Sequence, residues 1–342
     1  MLETILSHAA AFLPVLLFLA ALRMMDSYKL VPGNRIAAAI GAGVAAAGIS
    51  YVVNTAAFQS FPAQAGAFSR FGAPVVEELA KAGYWIFLIS TARVAFMVDA
   101  GICAFAIGAG FALAENTFYL HGLEVTGVGV SILRGFGTAV MHGSVDAIAA
   151  IVTVYISERR PSGGAKPGLK LFAPGLLVAM AIHSLFNQGL LSPLGSTLAM
   201  LLTMPALLIG FFLWSEASMR AWLGDKLEKD IEVTNMIAGG ELHNSRAGAY
   251  LQSLQDVFPD EIRADMLCMM QLTIELSARA KGELLAREAG FDMPPDPEIE
   301  AQFQELAYLQ KSIGRTGLLA VAPLLSQTPR DLWEMRRLAH GR

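Results

Sequence analysis

Seven stretches of the chain are almost wholly apolar, at about 5–22, 36–58, 71–90, 94–120, 130–157, 171–191 and 194–214. Runs of about 18 residues or more predict helices long enough to cross a bilayer. Beyond residue 216 the pattern changes. The segment DEIRADMLCMMQLTIELSARAKGELLAREAG repeats apolar residues at spacings of three and four and stops at Gly290, which predicts an amphipathic helix. TPRDLWEMRRLAHG opens with Thr328 as N-cap, Pro329 at the first helical position and Asp331 three residues after the cap, a capping-box arrangement. The expected fold is therefore all-α: a polytopic membrane protein of about seven transmembrane helices over 1–215, followed by a soluble helical domain over 216–342. A helix near 216–230 is expected to join the two.

Composition agrees with that division. The 342 residues are 54% hydrophobic and only 16% charged, as in membrane proteins. From Glu216 onward there are 14 Lys+Arg and 20 Asp+Glu, against 11 and 9 before it. Neither part has the basic surplus that nucleic-acid binding needs. Cys103 and Cys268 fall one in each part, so no disulfide is expected, and two thiols make no metal framework. The first run lacks a basic N-terminal flank and is followed by Arg23, Lys29 and Arg35, so it reads as a retained helix rather than a secretory signal. Alternate loops hold Arg23, Lys29 and Arg35, then Arg93, then Arg159, Arg160, Lys166 and Lys170, while the intervening loops hold only Arg70. The positive-inside rule then predicts an outside N-terminus and a cytoplasmic C-terminal domain, with SERRPSGGAKPGLK as a cytoplasmic loop.

Ionisable groups inside the apolar runs change the picture. FGAPVVEELAKAGYWIFLIS carries Glu77, Glu78 and Lys81, where each charge costs about 2.5–3.5 kcal/mol at the bilayer centre. The same expense recurs with Glu115 and Asn116 in GFALAENTFYL, His142 and Asp146 in VMHGSVDAIAA, and His183 and Asn187 in AIHSLFNQGL. Spacings of four put Glu77 with Lys81, His142 with Asp146 and His183 with Asn187 on single helix faces. Counted from the outer ends of their spans, Glu115 lies about five residues in, Glu77 about six, His183 about eight and His142 about twelve. All thus fall in the outer half or near the middle of the bilayer. One such pair alone would serve as a buried interhelical hydrogen bond. Four helices offering ionisable faces at one level point to a site.

The chemistry narrows by elimination. There is no His-Glu-x-x-His helix, no Gly-x-Gly-Asp pair, and no serine-protease signature around Ser144 or Ser184. Carboxylate and histidine chemistry remains. A glutamate in an apolar site beside a second one is a competent base for water, Lys81 can keep the pair from both taking up protons, and His and Asn N–H groups can stabilise an oxyanion. His142, His183 and a glutamate such as Glu115 can alternatively bind zinc with an open fourth position.

EELAK, FALAE, HGSVD and HSLFN, in that order on four successive helices, resemble the Glu-Glu-x-x-Lys, Phe-x-x-x-Glu and paired His-x-x-x-Asn/Asp motifs of the PrsW family of glutamic-type intramembrane proteases. That family belongs to the wider superfamily of CAAX prenyl endopeptidases and bacteriocin-immunity proteins. The resemblance covers about residues 70–190. Lys81 and Glu115 depart from the CAAX pattern and match the PrsW branch. The resemblance implies an endopeptidase in which Glu77 or Glu78 activates water, His142 and His183 assist and Asn187 donates to the oxyanion, with Glu115, Lys81, Asn116 and Asp146 around them. It favours metal-free chemistry, with zinc the alternative. It also implies a membrane-anchored protein substrate, typically an anti-sigma factor, cut near the extracytoplasmic side. Residues 216–342 lie outside the resemblance, and homo-oligomerisation or a cytoplasmic partner is open to them. Two other classes fit a mid-membrane polar cluster: a proton-coupled transporter using Arg134, Asp99 and Asp146 as a relay, and a non-catalytic scaffold presenting the helical domain.

Overall fold

The computed structural model describes residues 2–122, 127–159, 168–291, 293–294, 296–325 and 328–340. Every regular element among them is helical. The chain divides into two compact units, Met1–Glu216 and Ala217–Arg342.

The first unit holds α1 (Leu2–Met24), α2 (Gly33–Ser60), α3 (Ala73–Ser90), α4 (Met97–Gly122), α5 (Val128–Glu158), α6 (Ala173–Asn187) and the start of α7 (Pro193–Ala238). These fall on the seven predicted spans. By length and composition α1, α2, α4, α5 and α7 can each cross a membrane. The other two differ for visible reasons. α3 is a continuous helix of 18 residues whose apolar run is broken by three charges. α6 has 15 residues, about 22 Å at 1.5 Å per residue, because Gly189 adopts the left-handed conformation (φ 65°) that ends helices. The last apolar run and the expected joining helix near 216–230 are one continuous 46-residue helix, α7. Of the basic connector 157–170, residues 160–167 lie outside the described residues.

α4 and α5 form the centre of this unit, their most apolar stretches 89% and 83% buried, against 28%, 33% and 22% for α1, α2 and α7. The outer helices keep apolar residues such as Val52, Leu198 and Leu202 exposed, the surface that lipid chains cover. Close approach at the centre depends on glycine. A Cβ on Gly110 of α4 would collide with the Ile40 carbonyl of α2, and one on Gly108 with the His142 carbonyl of α5, the small-residue packing that membrane helices use where backbones touch.

The second unit contains α8 (Arg246–Ser253), α9 (Asp260–Glu288), α10 (Glu298–Leu325) and α11 (Pro329–His340). Its core is Met266, Met269, Met270, Leu276, Leu306, Leu309, Ile313 and Leu338. α9 ends at Glu288 ahead of Gly290, whose φ is 84°. The predicted capping box is formed: Thr328 N donates to Asp331 Oδ2 at 2.7 Å, and Asp331 N to Thr328 Oγ1 at 3.3 Å. Within this unit Lys281 is buried, with Nζ 2.8 Å from both Asp230 Oδ2 and Glu334 Oε1, a charged core that the sequence pattern did not announce.

Candidate active site

Four helices of the first unit contribute to one polar cluster. α3 brings Glu77, Glu78 and Lys81, α4 brings Glu115 and Asn116, α5 brings His142 and Asp146, and α6 brings His183. A π-helical turn, Phe68–Gly72, leads into α3, and a second, Arg134–Ala139, precedes His142 within α5. Such turns shift which side chains face inward and are frequent at functional sites.

Lys81 is the hub. It is wholly buried, and its Nζ lies 2.7 Å from Glu78 Oε1, 3.3 Å from Asp146 Oδ2 and 3.4 Å from His142 Nδ1. The expected partner at spacing four, Glu77, is not the one it takes. Spacings of three and four both lie on one helix face, and here the fully buried Glu78 meets the lysine. Glu77 turns toward α2, where Asn54 Nδ2 donates to its Oε1 at 3.1 Å.

The histidines are oriented by this frame. His183 Nδ1 lies 2.6 Å from Glu78 Oε1; a carboxylate only accepts, so Nδ1–H donates and Nε2 presents its lone pair. That Nε2 faces Glu77 Oε2 at 3.7 Å. An ammonium only donates, so His142 Nδ1 accepts from Lys81 while Nε2 faces Glu115 Oε2 at 3.3 Å. The two imidazoles stand edge to face, 4.9 Å apart, and Phe111 packs on His142 at the same ring distance. One ligand atom from each of Glu77, His142 and His183 falls within 4.8 Å of the others. Two imidazoles and a carboxylate make a donor set suited to zinc, and the Glu78 carboxylate behind His183 is the outer partner that metal-binding histidines use. The residue types present fit a metal: His183 Nε2 and a Glu77 oxygen offer lone pairs as they stand, and His142 would join them by exchanging its hydrogen bond with Lys81 or Glu115 for the metal. The glutamate within this trio is Glu77, where the sequence reading named Glu115.

Two further expectations change. Asn187, the implied oxyanion donor, is partly exposed, and its amide donates to Ser69 O at 3.2 Å. Asp146 meets Lys81 at 3.3 Å, and among the described residues no contact to His142, which shares its helix face, accompanies that. Asn116 lies behind the cluster: it donates to Ala11 O and accepts from Arg134 Nε, both at 2.9 Å. Sequence reasoning missed Asn54 as a site residue and weighed Arg134 only for a transporter relay. Both carried a signal, Asn54 as a lone amide in SYVVNTAAF and Arg134 as a charge near the start of an apolar run.

Ionisable side chains from several apolar helices, gathered around two oriented histidines, make this cluster the candidate site of an intramembrane enzyme. The profile of the PrsW family, described as PrsW family intramembrane metalloprotease, matches residues 32–213. The chain belongs to this family of intramembrane proteases. No curated protein and no solved structure matches it. The matched range spans α2 to α6 and the first part of α7, and so includes every residue of the cluster.

Proposed function

We propose that the chain is an intramembrane endopeptidase whose centre is the Glu77, His142 and His183 trio, holding a divalent metal such as zinc. The observation that carries this reading is the convergence of the three ligand atoms within 4.8 Å, in a family whose description is metalloprotease. It supports the zinc alternative over the metal-free chemistry that the sequence resemblance favoured. A metal bound there would supply Lewis acidity, making a water nucleophilic and polarising the scissile carbonyl.

The protein's own residues then divide the work. Glu78 is almost wholly buried and committed to Lys81 and His183, so it orients His183 rather than meeting substrate. Lys81 balances Glu78 and Asp146. Glu115 keeps a partly exposed side chain beside His142, which suits its carboxylate to take a proton from the attacking water and return it to the leaving amine. Asn54 holds Glu77 in place.

The substrate is proposed to be a membrane-anchored protein, an anti-sigma factor being the kind the resemblance implies. The distribution of basic residues supports an outside N-terminus, a cytoplasmic C-terminal unit and cleavage near the extracytoplasmic side. A helical substrate hides its carbonyls in its own hydrogen bonds. Gly or Pro near the scissile bond should therefore speed cleavage, and Leu there should slow it. The test is cleavage of a single-span reporter by the protein in liposomes. Activity lost on Glu77→Gln and on chelation, and restored by zinc, supports the reading. Cleavage that survives both removes it.

A further inference from the structure

Hydrolysis of a peptide bond needs a donor for the carbonyl oxygen as it gains negative charge. Asn187, the residue expected in that role, gives an amide N–H to the Ser69 carbonyl at 3.2 Å. Lys81 is fully buried beneath Glu78, Asp146 and His142, out of reach of an entering chain. Among the described residues one other cation touches the cluster. Arg134 Nη2 lies 3.1 Å from Glu115 Oε2, the same oxygen that faces His142 Nε2. The two side chains of that pair are 18% and 24% exposed and that of Glu77 is 14% exposed, whereas Glu78, Lys81, His142, Asp146 and His183 are buried, so the pair lies with Glu77 at the open edge of the cluster, its Nη2 and Oε2 atoms turned inward.

Arg134 is also held rigidly. Its Nε donates to Asn116 Oδ1 at 2.9 Å, and Asn116 is itself fixed by donating to the Ala11 carbonyl. The guanidinium carbon stands 3.8 Å from the centre of the Tyr119 ring, a cation–π contact. Yet Nη2 is buried and makes no hydrogen bond among the described residues, because the ion pair to Glu115 is close without being aligned. An anchored guanidinium with unspent N–H groups beside the proposed base is a donor awaiting an acceptor.

We propose that Arg134 is a catalytic residue that binds the carbonyl oxygen of the scissile bond through its Nη2–H groups as that oxygen becomes an oxyanion. This rests on the cluster being the proteolytic centre. In the first step the water oxygen bonds to the carbonyl carbon, the C=O π pair moves onto oxygen beside Arg134, and the water's proton passes to the Glu115 carboxylate. In the second the C=O re-forms, the C–N bond breaks, and Glu115 returns the proton to the amine nitrogen. Arg134 and Asn116 thereby give the Phe-x-x-x-Glu helix a second purpose: its asparagine aims the arginine of the next helix.

The test uses the full chain in liposomes with a single-span reporter protein whose cleavage site has been mapped. kcat, KM and melting temperature are measured for Arg134→Gln, Arg134→Lys, Asn187→Ala and Glu77→Gln. Arg134→Gln should lower kcat by about 10²–10³-fold, with KM within about threefold and melting temperature near that of the wild type. Arg134→Lys keeps the charge but not the planar fork, and should recover only part of the loss. Asn187→Ala should cost less than Arg134→Gln. A wild-type kcat in Arg134→Gln, or a loss that appears in KM or melting temperature instead, overturns the proposal. If Arg134→Gln does not fold, Arg134→Lys decides: a kcat at least tenfold down in a folded protein supports the proposal, and an unchanged one overturns it. Glu77→Gln separates the two levels, since cleavage surviving in that variant would show that the centre itself lies elsewhere.

Discussion

Lys81 in the first unit and Lys281 in the second are both buried, and each is joined to two carboxylates. Around Lys81 stand Glu78, Asp146 and His142. Around Lys281 stand Asp230, Glu334 and Ser277, with the Trp222 ring 5.7 Å away. Burying such charges costs several kcal/mol per ion unless partners offset it, so both clusters need an explanation. What differs is the company. The Lys281 group contains no histidine, and its polar atoms mainly satisfy one another: Ser277 Oγ donates to Glu334 Oε1 at 2.6 Å, and Asp230 accepts from Lys281. It ties α7, α9 and α11 together and ends there. In the Lys81 group the ion pair is a foundation, because Glu78 passes the constraint to His183, and His183 presents a free nitrogen to Glu77. A buried ion pair alone is thus a weak indicator of function. A buried pair that orients groups able to hold a metal or carry a proton is a stronger one.

Substitutions can break this contrast. The largest effect is expected for Glu77→Gln and His183→Ala, each lowering cleavage of a single-span reporter by about 10³-fold or more while leaving a folded protein. Lys281→Met should do the reverse. Removing one partner of a buried pair costs about 3–5 kcal/mol, so amide hydrogen exchange should rise along α9 and α11 while exchange around His142 and His183 stays as in the wild type. Equal loosening of both regions would erase the distinction between a local support and a site.

Glu78→Gln sharpens the comparison at an intermediate level. It keeps the shape but weakens the acceptor for His183 Nδ1–H, so metal affinity should fall about 10–100-fold, read by competition with a chromogenic chelator. An affinity unchanged by the substitution would mean that His183 does not depend on Glu78. The smallest effect is in pH. Burial lifts the Glu334 carboxyl from 4.5 to about 7, against the pull of Lys281. Because the folded value is the higher one, the group's stabilising contribution is complete below about pH 4.5 and is lost as pH rises through about 7. Glu334→Gln should flatten that decline, worth roughly 2–4 °C of melting temperature, and a decline unaltered in the variant would place its origin elsewhere.

How much of this was legible in sequence follows from what each environment demands. Lipid requires long apolar runs, so all seven helices of the first unit were readable, and charges inside those runs stood out by their cost. Glu77, Glu78, Lys81, Glu115, His142, Asp146 and His183 could therefore be named as a set. Their pairing could not. Helix geometry allows spacings of three and four alike, and only the packing of α3 against α5 and α6 sends Glu78 rather than Glu77 to Lys81. The same limit hid Asn187's turn toward Ser69, and the π-helical turns at Phe68–Gly72 and Arg134–Ala139 leave no periodic trace. In the second unit, Asp230, Lys281 and Glu334 lie in amphipathic helices where charges usually mark the solvated face, so their burial was invisible until three helices were brought together.

The central claim is that Glu77, His142 and His183 form a metal centre on which proteolysis depends. Metal analysis of the purified full chain tests it most directly, comparing the wild type with His142→Ala/His183→Ala, each checked for helical content and melting. The account predicts about one equivalent of a divalent metal in the wild type, almost none in the folded double variant, and cleavage in step with occupancy. A wild-type protein that cleaves a single-span reporter without metal, or a double variant that retains the same equivalent, would contradict it.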